Sequence, residues 1–280
     1  MKSWRLLNNG HLAGALNMAI DQALLTMHAE EKSPPTLRFY KWHPAAVSLG
    51  YFQRDPKIDR SVCRKMGIDV VQRPSGGRAV LHQGDLTYSV IAGKQDGIPE
   101  EAAAAYQLIC EGLLMGFRLL GIQGELRQGK EKTIQKDICF LSGGVGDIVH
   151  DNHKFVGSAQ YWHATSLLQH GSIILESQVE TLVKLWGANG ASPENLRVML
   201  TSRLTSIEEI LGCHLSPGEI ETAIRKGMEQ SLGIVFKSGE LGTEEWLRAS
   251  EISNQNVPQI KYRGEIFPLK FGVLRDPINS

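Results

Sequence analysis

Two short segments hold the residues whose types and spacing can do chemistry. The first runs from Arg73 to Val90 and sets Gly76 and Gly77 between Arg73 and Arg78, ahead of an alternating stretch. Adjacent glycines permit positive φ and let the backbone approach a ligand closely. The two arginines are spaced to converge on one acidic or phosphate-like group. An ordinary tight turn with solvated arginines accounts for the same residues. The second segment is Asp151-Asn152-His153-Lys154-Phe155-Val156-Gly157-Ser158-Ala159-Gln160. Asp-Asn between Ile148-Val149 and Phe155-Val156 is turn chemistry for a tight β-hairpin. Lys154 lies just past the turn, and the small residues Gly157, Ser158 and Ala159 let a ligand lie flat on the strand.

Read together, the two segments resemble the lipoate–protein ligase A and octanoyltransferase family. That family reads Arg-Arg-x-x-Gly-Gly-x-x-Val-x-His in its first motif and Lys-x-x-Gly-Ser-Ala in its second. Here these are Arg73, Gly76, Gly77, Val80 and His82, then Lys154, Gly157, Ser158 and Ala159. Further matches are Asn17-Met18-Ala19-Ile20-Asp21, Leu37-Arg38-Phe39-Tyr40, Ser48-Leu49-Gly50-Tyr51-Phe52-Gln53 and His170-Gly171-Ser172-Ile173. The matches run in order over about residues 1–250 and depart at Gln72, where the family has the first Arg of its pair.

The resemblance implies the fold, α+β with a mixed, largely antiparallel sheet packed by helices, of the biotin/lipoate protein ligase catalytic-domain type. It also implies acyl transfer to a protein lysine. Ligases of the family activate free lipoate with ATP and carry a polar pair ahead of the lysine motif. LipM-type octanoyltransferases carry a Cys there, as this chain carries Cys139; Gly76-Gly77-Arg78 and Thr87-Tyr88 also follow the transferase pattern. The implied activity is octanoyl transfer in protein lipoylation through a thioester on Cys139, with Lys154 as the second catalytic residue. Arg73, Ser75, Gly76, Gly77, Arg78, His82, Gly157, Ser158, Ala159 and His170 are the implied substrate-binding residues. The donor is octanoyl-acyl carrier protein and the acceptor a lipoyl domain such as the glycine cleavage H protein, with no cofactor and no metal. ATP-dependent lipoate ligation, lipoyl amidotransfer between carrier domains, and a silent acyl-binding scaffold are the alternatives.

Read on its own, a lone Cys is more often a small buried hydrophobe than a nucleophile, Lys154 is a charge beside a hairpin, and His82 is either a general base or a group that shapes the loop. Ser75 has no Gly-x-Ser-x-Gly context, and no Walker lysine is present.

Composition narrows the class. The 280 residues include 42% hydrophobic ones and balance 30 Lys and Arg against 30 Asp and Glu, so no nucleic-acid or membrane surface is expected. No apolar run nears the ~18 residues of a membrane span, and Met1-Lys2-Ser3-Trp4-Arg5 lacks a signal-peptide core. A cytoplasmic protein is expected, with Cys63, Cys110, Cys139 and Cys213 reduced and no close Cys pair for zinc.

The elements that must position these residues follow from pattern. Asn17 to Met27 reads as an amphipathic helix with Leu16, Ile20, Leu24 and Met27 inward. Strands are expected at about Thr36–Lys41, Ala46–Phe52, Asp69–Arg73, Thr87–Ala92 and Gln169–Leu175. A helix through Tyr106 and Phe117 stops at Gly121, and Ser216-Pro217-Gly218-Glu219 is a capping box opening a helix to about Leu232. A short helix surrounds Trp246. Strands first and helices later indicate α+β in one domain, and the resemblance implies that 1–253 form the catalytic domain, with a C-terminal tail over 254–280.

Overall fold

The computed structural model describes residues 2–53, 57–129, 146–187 and 192–255, together with the backbone of two strands at 259–262 and 265–268. The main sheet has eight strands: β1 (Lys2–Leu12), β2 (Thr36–Trp42), β6 (Asp85–Gly93), β7 (Glu125–Leu126), β8 (Ile148–His150), β9 (His153–His163), β10 (Ser166–Ile174) and β11 (Ile234–Ser238). Their order is β11-β1-β2-β6-β10-β9-β8-β7. From β2 to β7 every pairing is antiparallel, whereas β1 is parallel to both neighbours. The expected mixed, largely antiparallel sheet is therefore present. A second sheet, β4-β3-β5, is built from β3 (Ala46–Leu49), β4 (Asp69–Gln72) and β5 (Val80–His82).

Helices cover both faces of the main sheet. α3 (Ala102–Leu119) and α7 (Pro217–Leu232) bury Ile109, Leu113, Phe117, Ile220 and Ile224 against Phe39, Tyr88 and Phe155. On the other face α1 (Gly14–Ala29) packs Ile20, Leu24 and Leu25 against Leu7, Ile91 and Leu168, and α8 (Thr243–Gln255) adds Ala249. With both faces covered, β6 and β10 are buried along all nine residues each. α2 (Arg60–Lys65), α4 (Val179–Trp186) and α5 (Pro193–Thr201) enclose the small sheet around Cys63, Val70 and Trp186. A one-turn helix, α6 (Ile207–Leu211), follows α5.

Local chemistry explains the boundaries. The hairpin between β8 and β9 closes on Asp151 (φ 47°) and Asn152 (φ 63°), so both central residues adopt the left-handed conformation of a two-residue hairpin turn. α7 begins at the expected capping box: Ser216 Oγ accepts from the Glu219 N–H, and Glu219 accepts from the Ser216 N–H at 2.8 Å.

The structure departs from the sequence reading in four places. β1 lies outside the expected strands, and its register against β2 shifts between Asn8 and His11. The strand from Ala46 ends at Leu49 rather than Phe52, because Gly50 turns beneath the glycine loop. α1 is not simply amphipathic: Asn17, Asp21 and His28 are buried too, since other elements meet every side of the helix. α8 is thirteen residues long rather than a short turn around Trp246. In the tail, β12 (Gln259–Tyr262) and β13 (Glu265–Pro268) pair antiparallel. No helix among the described residues is long and apolar enough to cross a membrane.

Candidate active site

A cleft opens between the loop of residues 73–80 and the middle of β9 and β10. It is lined by Arg73, Gly77, His82, Gly157, Ser158 and Ala159, with His170 at its side and Met18, Tyr40 and Trp42 contributing apolar surface. The structure thus gathers most of the expected binding residues around one space. Gly76 lines a neighbouring groove, Ser75 is buried behind the loop, and Arg78 lines neither space.

The loop rests on Gly50. A Cβ there would lie 2.0 Å from the Gly77 carbonyl oxygen, so only glycine lets the two backbones touch. Arg73 does not converge with Arg78 on a shared anion. Its guanidinium, 6% exposed, donates to the carbonyls of Gly76 (2.8 Å), Arg78 (2.7 Å) and Ser48 (2.9 Å). It wraps the loop from within, which satisfies carbonyls that a tight turn leaves unpaired.

Beneath the cleft are two histidines, each held between a carboxylate and a serine. His82 Nδ1 donates to Asp85 at 2.9 Å, and its Nε2 lies 2.9 Å from Ser48 Oγ. Arg73 donates to that same Ser48 Oγ at 3.1 Å, which ties the ring to the glycine loop. Burial pushes the His82 pKa down against the opposing pull of Asp85. Thr87 and Ser172 also donate to Asp85, and Trp42 stacks on the His82 ring at 3.9 Å while donating to Thr87. His82 therefore lines the cleft with both ring nitrogens engaged.

His170 Nδ1 lies 3.1 Å from Asp21, and Nε2 lies 2.5 Å from Ser75 Oγ. Hydroxyl, imidazole and carboxylate stand in the order of a hydrolytic triad, but Ser75 is fully buried and its hydroxyl does not reach the cleft. The array ties the loop to α1. Asp21 also accepts from Arg38 (2.7 Å), Ser89 and Tyr40. Burial raises its pKa, and Arg38 and His170 outweigh that, so the carboxyl stays below its ordinary range. Arg38 is fully buried, donates to Asn17 Oδ1 at 2.7 Å, and lies over the Tyr40 ring. The segments 17–21 and 37–40, which carried the resemblance without an assigned role, are thus the polar scaffold of the cleft.

At the other end lies Lys154. Its side chain is 3% exposed and its Nζ is 2.7 Å from Asp147 Oδ1, which excludes a solvated hairpin lysine. Asp147 escaped the sequence reading; the hairpin register, which sets β8 against β9, was the signal that could have found it. Gly157 lines the cleft, as expected of a small residue, and its lack of a side chain matters to the lysine as well. A Cβ there would meet Lys154 Cε at 2.8 Å and Nζ at 2.9 Å, so the glycine makes room for the lysine beside the cleft. The backbone of Lys154 is clasped as well: its N–H donates to the Arg203 carbonyl, and its carbonyl accepts from Thr205. Cys139 lies outside the described residues. Of the other cysteines, Cys63 and Cys110 are buried with thiol pKa values pushed up to about 11 and about 12 by burial, and Cys213 is exposed. Among the described residues no group of His, Cys, Asp and Glu is placed to hold a metal ion.

The profile of the lipoyl protein ligase A/B catalytic domain matches residues 13–229. Curated relatives include octanoyltransferases LipM from Clostridioides difficile, 37% identical with 86% of this chain and 91% of the relative covered, and from Bacillus subtilis, 36% identical with 87% and 91% covered. A third, from Anoxybacillus flavithermus, is 35% identical with 89% and 94% covered. Among solved structures, a lipoate–protein ligase A bound with ATP superposes with a TM-score of 0.74 at 22% identity, over 90% of this chain and 94% of the other. A bi-partite lipoate protein ligase from Thermoplasma acidophilum gives 0.74 at 21% identity over 100% of both. These two establish the lipoate-ligase type of fold. The profile match and the curated relatives make the chain a member of the lipoyl protein ligase A/B catalytic domain family.

Proposed function

We infer that the protein is an octanoyltransferase of protein lipoylation, working through a thioester on Cys139. One observation carries this reading: an apolar cleft runs along β9 to Gly157, and the buried Lys154 amine, paired with Asp147, fills the space beside that glycine. Such a cleft suits a saturated chain, and a positioned ammonium suits the carbonyl at its head. Curated relatives named octanoyltransferase support the acyl group assigned.

In this reading the Cys139 thiolate attacks the donor thioester, and the donor's thiol leaves. The acyl-enzyme is then attacked by the neutral ε-amine of an acceptor lysine, the C–S bond breaks as the amide forms, the thiolate returns, and the proton shed by the amine balances the one taken up by the donor's thiol. Thioester exchange keeps the first step nearly isoenergetic. Lys154 orients the carbonyl in both steps. The proposed donor is octanoyl-acyl carrier protein, and the proposed acceptor a lipoyl domain such as the glycine cleavage H protein. The catalytic unit is taken as 1–253, with 254–280 as an appended tail, in a cytoplasmic protein.

Incubation with octanoyl-acyl carrier protein, followed by intact mass, tests the reading. An octanoyl adduct that is lost in Cys139→Ser and discharged by a lipoyl domain is expected, because a serine hydroxyl is a poor acceptor without a strong base. Transfer that requires ATP, or full transfer by Cys139→Ser, overturns it.

A further inference from the structure

A second groove lies against the cleft, between α1, the turn at Tyr51 and Phe52, and the outer part of β9. Met18 and Arg73 line both spaces and form the wall between them. The order along β9 fixes the direction. Lys154 marks the reaction end, Gly157 to Ala159 line the cleft, and Gln160 and Tyr161 line the groove. From Gly157 to Tyr161 the strand advances about 13 Å, so the groove continues the cleft at the end remote from Lys154.

The two halves of the wall differ in freedom. Arg73 is fixed by its hydrogen bonds to Ser48, Gly76 and Arg78. Met18 is held only by packing against Tyr40, Trp42 and Val71, and an unbranched thioether repacks readily. Beyond it the groove presents Tyr51, Phe52 and Tyr161, large side chains that are 51%, 79% and 39% exposed. The amides beside them are occupied: Gln72 donates to the Tyr51 carbonyl and Gln160 to Gln169.

We propose that this groove is a second acyl subsite, closed by Met18, which takes the distal methylenes of acyl groups longer than octanoyl. The proposal rests on the acyl-cleft reading above. Met18 sets the chain length the enzyme accepts, and its displacement opens a continuous channel.

The test compares octanoyl- and dodecanoyl-acyl carrier protein as donors for wild type and Met18→Ala. The dodecanoyl-to-octanoyl ratio of kcat/KM should rise about tenfold or more in the variant, the order expected for adding methylene contacts. Tyr161→Glu in the Met18→Ala background should return the ratio toward the parent value. An unchanged ratio in an active Met18→Ala enzyme overturns the subsite while leaving octanoyl transfer intact. A Tyr161→Glu effect confined to the KM for the lipoyl domain makes the groove a protein-docking surface and also overturns it. A second measurement needs neither catalysis nor a folded variant. Wild-type protein is photolabelled with dodecanoic acid bearing a terminal diazirine, and labelled peptides are mapped. Label on residues 18–22, 51–53 or 160–161 supports the subsite. Label confined to the cleft around Trp42 and His82, or none, rejects it. Absence of any octanoyl transfer by wild type defeats the functional reading instead, and the labelling still judges the groove.

Discussion

The two ends of the cleft are built on different plans. The floor under His82 and His170 is held many times over: two carboxylates, two serines and two buried arginines join six elements and the glycine loop through hydrogen bonds. The lysine end has another plan: the Lys154 amine pairs with Asp147, Gly157 leaves it room, and Arg203 and Thr205 clasp its backbone. A binding wall gains from redundancy, because its shape must not change. A group that meets a reacting carbonyl needs a single defined position and a partner that leaves it able to respond. Damage to the floor should therefore be read first as lost stability, and damage to the lysine end as lost rate.

The largest effect is expected from Asp21→Asn. The amide keeps the shape but leaves the Arg38 guanidinium buried without its counter-charge, which costs about 3–5 kcal/mol. Chemical denaturation measures this, and a loss below about 1 kcal/mol would mean that Arg38 is compensated elsewhere. Next comes Lys154→Arg, which keeps the charge but replaces a compact ammonium with a longer planar fork that meets the carbonyl differently. Single-turnover acylation and discharge should both slow, by about 10²-fold or more. Near-normal rates in both phases would reduce the lysine to a charge alone. Gly157→Ala should leave the fold within about 1 kcal/mol while displacing the amine, and a misplacement of that kind costs about 10²-fold in transfer. Equal losses in Tm and rate would place the glycine with the floor instead.

The smallest effect concerns acid. His82 has a folded-state pKa below its ordinary 6.5 because it is buried, so the unfolded chain takes up that proton first. The stability linked to it is complete above 6.5 and declines as pH falls toward the folded-state pKa. The depressed carboxyl of Asp21 adds a separate decline in the window below its ordinary 3.8. His82→Gln should flatten the slope of Tm against pH on the acid side of neutrality and leave the lower window in place.

Much of this architecture could be read from residue order alone. The Asp151-Asn152 turn, the capping box at Ser216 and the central strands carry strong local signals, and the structure contains each of them. So does the gathering of the glycine loop with Gly157, Ser158, Ala159 and His170. What escaped was long-range. Asp21 and Asp147 bear ordinary carboxylates whose meaning appears only when Arg38 and Lys154 arrive from other elements. Arg73 looked like an anion ligand because its spacing to Arg78 is visible, whereas the carbonyls it serves are not. β1 was missed because a register shift between Asn8 and His11 interrupts the alternation that marks a strand.

The placement of β1 bears on how the chain is made. β1 pairs with β2 soon after it in the sequence, yet its other edge pairs with β11, and Arg5 reaches Glu245 across 240 residues. During synthesis, that edge stays unpaired until nearly the whole domain has emerged, and an open edge recruits other chains. The same late stretch includes Arg203 and Thr205, which clasp the backbone of Lys154. A nascent chain therefore completes its reaction end only after most of the protein has left the ribosome. Premature arrest beyond β10 should yield a species with an assembled cleft floor, an exposed edge strand and no capacity for transfer.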